Sequence, residues 1–184
     1  IIEQGPIRFT VGDGSPAPRF VIDPIRRIHA VTGQLYSGKL GAYVRSGVVG
    51  GVTFSKKAGP DWLTIASDGS LGGRPGPGDA GANQFSIEVS DATAATASAT
   101  LEIEVFTPGT IHLPRLKVLS FNIWGGTGNV SDGYYKGLDS ILISDADIVA
   151  VSENNGRAAQ WANDLGWAVY QSGSDNAVLS RYPV

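Results

Sequence analysis

Two stretches of this sequence alternate apolar and polar residues with a period of two, and nothing else in it constrains the fold as tightly. In Gln84-Phe85-Ser86-Ile87-Glu88-Val89, the residues Phe85, Ile87 and Val89 share one side. In Ala99-Thr100-Leu101-Glu102-Ile103-Glu104-Val105, Leu101, Ile103 and Val105 do the same. An extended chain sends successive side chains to opposite faces, so these segments read as antiparallel strands covered on one side. Turn signals separate shorter strand candidates before them. Phe54 precedes Lys56-Lys57-Ala58-Gly59-Pro60, and Trp62-Leu63-Thr64-Ile65 precedes Ser67-Asp68-Gly69-Ser70, while Arg74 to Asp79 is a long loop. Glycine at 25 residues and proline at 10 fit a chain with many turns. Residues 19–106 therefore read as a β-sandwich, with Trp62 as its plug. Ahead of it, Ile7 to Val11 is one short alternation followed by a Gly/Pro-rich stretch, so residues 1–18 are a strand and a linker.

Beyond Phe106 the periodicity changes. Thr107-Pro108-Gly109-Thr110 ends the last strand, and residues 107–114 read as a linker. Leu116 to Trp124 is a strand, followed by a loop with Gly125, Gly126 and Gly128. Tyr134 to Ile143 reads as a helix, with Leu138, Ile141 and Leu142 at i, i+3 and i+4, and Ser131 or Asp132 as its cap. Asp147 to Val151 is a continuous apolar run, the pattern of a strand buried on both faces. Gly156 to Leu165 is a second helix, and Trp167 to Tyr170 and Asn176 to Ser180 are two more strands. The order β-α-β-α-β-β makes residues 115–184 a mixed α/β unit.

Two polar residues occupy corresponding places in that unit. Asn122 ends its first strand, and Glu153 lies just past its second. If the helix between them is a crossover, the strands are parallel and both carboxyl ends lie on one sheet edge, where open α/β sheets place their ligands. A carboxylate there suits a hard cation such as Mg2+, which takes oxygen donors and keeps much of its shell for water and phosphate. Asn122 would orient that carboxylate or touch a phosphate oxygen. The plainer alternative is a solvated glutamate and a turn-capping asparagine. Trp124, Trp161 and Trp167 read as packing residues and Asp175 and Asn176 as turn residues. Arg181 reads as structural, and His29 and His112 lie outside the α/β part. The loop at Gly125-Gly126-Thr127-Gly128 lacks the lysine of a phosphate-binding P-loop.

Charge and cysteine content narrow the classes further. The net charge is −3, with nine basic against ten acidic residues in 1–114 and five against seven in 115–184. Neither part has the basic surplus of a dedicated nucleic-acid binder. The absence of cysteine excludes disulfides and thiolate zinc sites. No apolar run reaches the roughly 20 residues of a transmembrane helix. The chain holds no methionine, no stretch reads as a signal peptide, and from Ile1 to Val184 it reads as a piece of something longer.

The stretch from "YSGKL" through "VTFSKKAGPDWLTIASDGSL" to "ATLEIEV" resembles the Ig- or cadherin-like modules of extracellular bacterial proteins. The resemblance implies a secreted or surface-exposed spacer or binding module. Some cadherin-like relatives bind calcium between modules, but Asp23, Asp68, Asp79 and Asp91 are scattered and read as ordinary turn aspartates. The later segments, "LKVLSFNIWGGTGNV", "GLDSILISDADIVAVSE" and "AAQWANDLGWAVYQSGSDNAVLSRYPV", resemble the N-terminal half of the endonuclease/exonuclease/phosphatase superfamily, which has the DNase I-like fold. That resemblance makes Asn122 the active-site asparagine and Glu153 the metal-binding glutamate. Ser152 stands where the family usually has glutamine. The fold it implies is an incomplete two-layer α/β sandwich.

The resemblance further implies that the later half of such a domain supplies an Asp-Asn pair and an Asp-His pair, which these 184 residues lack. Half a sandwich would leave an apolar sheet face open, so a further segment or second chain is expected to complete it. The expected function is that of a fragment of a secreted, Mg2+-dependent (or Mn2+- or Ca2+-dependent) phosphoesterase, incomplete by itself. Its substrate class spans nucleic acid, phospholipid headgroup and small phosphate ester. The alternative is a non-enzymatic extracellular adhesion protein with a degenerate phosphoesterase-like part.

Overall fold

The computed structural model describes residues 17–47, 51–109 and 116–182. The strand candidate at Ile7 to Val11 and the residue His112 lie outside them. In chain order the first ten strands are β1 (Arg19–Phe20), β2 (Ile25–Arg26), β3 (Ala30–Val31), β4 (Tyr36–Lys39), β5 (Val44–Arg45), β6 (Val52–Ala58), β7 (Leu63–Ile65), β8 (Ser70–Gly73), β9 (Gly81–Asp91) and β10 (Thr96–Phe106). The last four are β11 (Val118–Asn122), β12 (Ile148–Ser152), β13 (Ala168–Ser172) and β14 (Asn176–Ser180). The helices are α1 (Gly133–Ser144) and α2 (Arg157–Leu165).

The alternating segments form β9 and β10, each longer than its apolar stripe. They pair antiparallel with Phe85 opposite Leu101 and Ile87 opposite Ala99. Their sheet runs β2-β10-β9-β6, with β3 also on β10, and a second sheet runs β4-β8-β7. Phe85, Ile87, Leu101 and Ile103 meet Leu63, Leu71 and Tyr36 in the core between them. Trp62 sits there as expected, edge-on to Tyr36 and Phe85, with its indole N–H donated to Asn83 Oδ1 at 2.9 Å. That bond lets a half-buried indole keep its polar end satisfied.

The α/β part keeps the predicted element order. β11 and β12 are parallel, joined by α1, so the connection is a crossover. The sheet order is β11-β12-β14-β13. Both helices lie on one face, where Leu138, Ile141, Trp161 and Leu165 pack with Val149, Val151 and Leu179. Gly137 is a contact point, because a Cβ there would lie 2.2 Å from Trp161 Cζ2. The opposite face is open. Val118 is 67% and Tyr170 69% exposed, and Ala150 and Val178 are exposed beside them. This corrects the expectation that residues 147–151 form a strand buried on both faces. Its apolar run is continuous, yet of its apolar residues only Val149 and Val151, on the helix side, are buried, while Ile148 is half-buried and Ala150 exposed.

Two local expectations also change. Asp132 precedes α1 but makes no side-chain capping bond and adopts a left-handed backbone, with φ 53°. Trp124, expected to pack, is instead 64% exposed, in a turn whose backbone is left-handed from Trp124 to Thr127. Trp161 and Trp167 are buried as read.

Candidate functional site

The carboxyl edge of the parallel pair brings the two predicted residues together. Asn122 is opposite Ser152 in register, and Glu153 follows at once. Asn122 Nδ2 donates to Glu153 Oε1 at 2.9 Å, and Asn122 Oδ1 accepts the Trp124 N–H at 3.0 Å. The asparagine amide thus fixes a carboxylate with one end and a loop with the other. Both side chains are exposed. An exposed hydrogen bond of this kind adds at most about 1 kcal/mol to stability, so folding alone is a weak reason for it.

Backbone strain is concentrated at the same edge. Trp124, Gly125, Gly126 and Thr127 are four consecutive left-handed residues, with φ of 40°, 67°, 68° and 67°. The Thr127 N–H closes the turn on Ile123 O at 2.8 Å. Glycine enters this region freely, whereas each L-residue costs about 1–2 kcal/mol there. The Gly-Gly pair therefore supplies half the turn without strain, and Trp124 and Thr127 carry the rest. Across the edge, Glu153 and Asn155 are also left-handed, with φ of 55° and 45°. The two loops are tied by Gly126 N–H to Glu153 O at 2.6 Å and by Arg157 Nε to Gly126 O at 2.8 Å. A Cβ on Gly126 would lie 2.8 Å from Asn154 O.

The glycine-rich loop does not present its amides as a phosphate cradle. The N–H groups of Trp124, Gly126, Thr127 and Gly128 are all spent on bonds within the site. Asn154 is the anchor of the second loop. It is fully buried, its Oδ1 accepts the Ala158 N–H at 2.6 Å, and its own N–H donates to Asp175 O at 3.0 Å. The signal was legible as Asn-Asn-Gly ahead of an apolar helix, a helix-start pattern. Asn176 opens β14, at the start of the strand expected over Asn176 to Ser180, and pairs with Ser152. Asn122, Ser152, Asn176 and Ser172 thus form one polar row across the open face. Below it, Ala150, Val178 and Tyr170 line a shallow depression of about 250 Å³.

Other candidates take structural places. Asp68 binds Ser70, Asp79 binds Gly76 and Asp91 binds Thr93 and Ala95, so these three serve their own turns, while Asp23 accepts the Thr100 N–H of β10. Arg181 pairs with Asp145 and Asp147. His29 lies against Phe106 and Tyr182, away from the site. Among the described residues no group of three or more His, Cys, Asp and Glu side chains could hold a metal, so Glu153 offers one carboxylate.

Residues 18–106 match the family model described as "Putative Ig domain". This stretch is an Ig-like module. The matched stretch ends at Phe106 and leaves the α/β unit outside it. No curated protein matches the chain. Among solved structures, the endo-fucoidan hydrolase MfFcnA9 of glycoside hydrolase family 107 is 31% identical, over 52% of this chain and 17% of its own, with a TM-score of 0.45. The endo-fucoidan hydrolase MfFcnA4 is 21% identical over 97% of this chain and 26% of its own, with a TM-score of 0.48. The third cadherin domain of human protocadherin 7 is 16% identical over 59% of this chain and 100% of its own, with a TM-score of 0.40. This chain spans 17% and 26% of the length of the two hydrolases. Among the described residues no helix is long and apolar enough to cross a membrane.

Proposed function

We propose that the α/β unit is the leading part of a metal-dependent phosphoesterase of the endonuclease/exonuclease/phosphatase type. On this reading the Ig-like module is its extracellular spacer. The observation that carries the proposal is the Asn122–Glu153 contact of 2.9 Å at the carboxyl edge of β11 and β12. The donor chemistry there fits Mg2+. Glu153 offers a carboxylate at an exposed edge, and its neighbours in the polar row carry oxygen donors only as amides and hydroxyls. One protein carboxylate is enough for an ion that takes water and phosphate as its other ligands. A bound Mg2+ would supply charge neutralisation on the phosphate oxygens. Asn122 holds the Glu153 carboxylate in place, and the tied loops keep both at the sheet edge. The open sheet face is where a second layer would pack to complete the site.

The direct test is Mg2+ titration by calorimetry on the wild type and on Glu153→Gln. The expected result is saturable binding that the variant weakens by at least about tenfold, the effect of removing the one charged ligand. Equal binding by both proteins would remove Glu153 from the metal site. A second reading, a non-enzymatic extracellular adhesion protein, is favoured by the Ig-like match over residues 18–106. It requires that neither protein bind Mg2+ at the edge.

A further inference from the structure

Trp124 is the one feature of the edge that the metal reading leaves unused. Of the four tryptophans, Trp161 and Trp167 are buried, Trp62 is half-buried in the sandwich, and Trp124 alone stands in solvent. A lone exposed apolar residue is ordinary on a protein surface. This one is held there against a backbone cost. Its backbone is left-handed, a region that a bulky L-residue rarely enters. Its peptide groups are also pinned on both sides, with Asn122 Oδ1 accepting its N–H at 3.0 Å and Asn129 Nδ2 donating to its carbonyl at 3.2 Å. The asparagine that fixes the Glu153 carboxylate therefore also fixes the tryptophan.

We propose that Trp124 is a stacking platform for the group carried by the phosphate, and that this group is a flat unsaturated ring of nucleobase size. The inference rests on the phosphoesterase reading of the same edge. An indole offers a rigid apolar face that any planar ring can cover, and such stacking tolerates variation in the ring. A small ligand suits the surroundings better than a polymer or a bilayer. Glu153, Asp132 and Asp175 make the two loops and the neighbouring turn acidic, and Arg157 is the single basic residue within residues 123–132, 153–157 and 173–175. A nucleic-acid strand requires basic residues along its backbone. A membrane surface requires a broader apolar face or a basic patch beside it.

Calorimetry in Mg2+ tests this with adenosine monophosphate, with glycerol phosphate, and with phosphatidylcholine vesicles. Wild type, Trp124→Ala and Trp124→Tyr are compared. The side chain is exposed, so the variants are expected to keep the fold, which circular dichroism and melting check. Adenosine monophosphate is expected to bind the wild type more tightly than glycerol phosphate. Trp124→Ala should weaken the nucleotide about 5- to 100-fold while leaving glycerol phosphate unchanged, and Trp124→Tyr should restore most of the loss. Equal affinities for the two phosphates in the wild type would overturn the proposal. So would absence of nucleotide binding, an equal loss of both ligands in Trp124→Ala, or partitioning onto the vesicles instead. If Mg2+ binding still depends on Glu153 in those cases, only the platform fails. If Mg2+ does not depend on Glu153, the phosphoesterase reading itself fails.

Discussion

At the scale of single residues, contact geometry decides what intrinsic preference cannot. Gly137 lies in the middle of α1, where alanine is normally better by about 1 kcal/mol. Here the added methyl would sit 2.2 Å from Trp161 Cζ2 and 2.6 Å from Cη2, and Trp161 is fully buried. Overpacking against a locked indole costs about 1–3 kcal/mol. Gly137→Ala is therefore expected to lower stability by about 1–2 kcal/mol, read as a shift in the urea midpoint. A stabilised variant would show that Trp161 can move. The sequence displayed Leu138, Ile141 and Leu142 as the buried stripe, because periodicity reports apolar side chains. It was silent on Gly137, because a glycine that makes room looks the same as one that merely tolerates a turn. The same limit hid Asn154, whose value lies in a buried amide reaching the Ala158 N–H. Asn122 and Glu153 were legible because strand ends can be read from apolar runs and polar residues at those ends stand out.

At the scale of elements, the left-handed turn at Trp124 to Thr127 shapes the site. The Gly125-Gly126 pair announced a loop, but its handedness arises from tertiary contacts. The space where a Gly126 side chain would begin is taken by Asn154 and Asn155 of the facing loop, and the Gly126 N–H binds Glu153 O. Gly126→Ala would place a methyl 2.8 Å from Asn154 O, a backbone atom, in a region of φ that alanine enters only with strain. The expected cost is about 2–3 kcal/mol, combining strain and clash. The loops should then separate, and Glu153 should lose its fixed relation to Asn122. The check is amide exchange: faster exchange at Gly126 and Thr127 with unchanged exchange in β9 and β10. Uniform acceleration across the chain would mean a global effect instead. Element boundaries in the sandwich were easier to read, because period-two alternation in β9 and β10 survives pairing on either side. The apolar run of β12 was ambiguous for a physical reason. A short strand with alanine on its open face has the same sequence pattern as one buried on both faces.

At the scale of the whole molecule, the Ig-like module and the α/β unit are joined by charge as well as by chain. Arg27 is buried between them, donating to Tyr43 Oη at 3.1 Å and to Leu165 O, at the end of α2, at 3.2 Å. Arg45 of the module pairs with Asp139 of α1 and lies over the Tyr135 ring. The third link is Asp145, whose carboxylate meets Arg26 of the module at 3.0 Å, Lys117 at 2.6 Å and Arg181 at 3.1 Å. Burial pushes the Asp145 carboxyl up, but the Lys117 and Arg181 bonds outweigh it and hold it below the ordinary value of 3.8. A depressed value means that the folded state prefers the ionised form. The stability gained is therefore present above the unfolded value and is lost as pH falls below it. Arg181, with its side chain only 11% exposed, would be left short of a partner in Asp145→Asn. The variant is expected to lose about 2 kcal/mol at neutral pH, since hydrogen bonds to charged groups are worth that much. The gap between wild type and variant should close in acid, as the wild-type carboxylate takes up its proton. Raised salt should narrow it only in part, because the Arg26 arm is 54% exposed and is screened more than Arg181. Denaturant melts from pH 7 down to about 3 measure both effects, below the ordinary aspartate range at the lower end. A gap that stays constant across that window would mean that Asp145 joins the two units by packing rather than by charge.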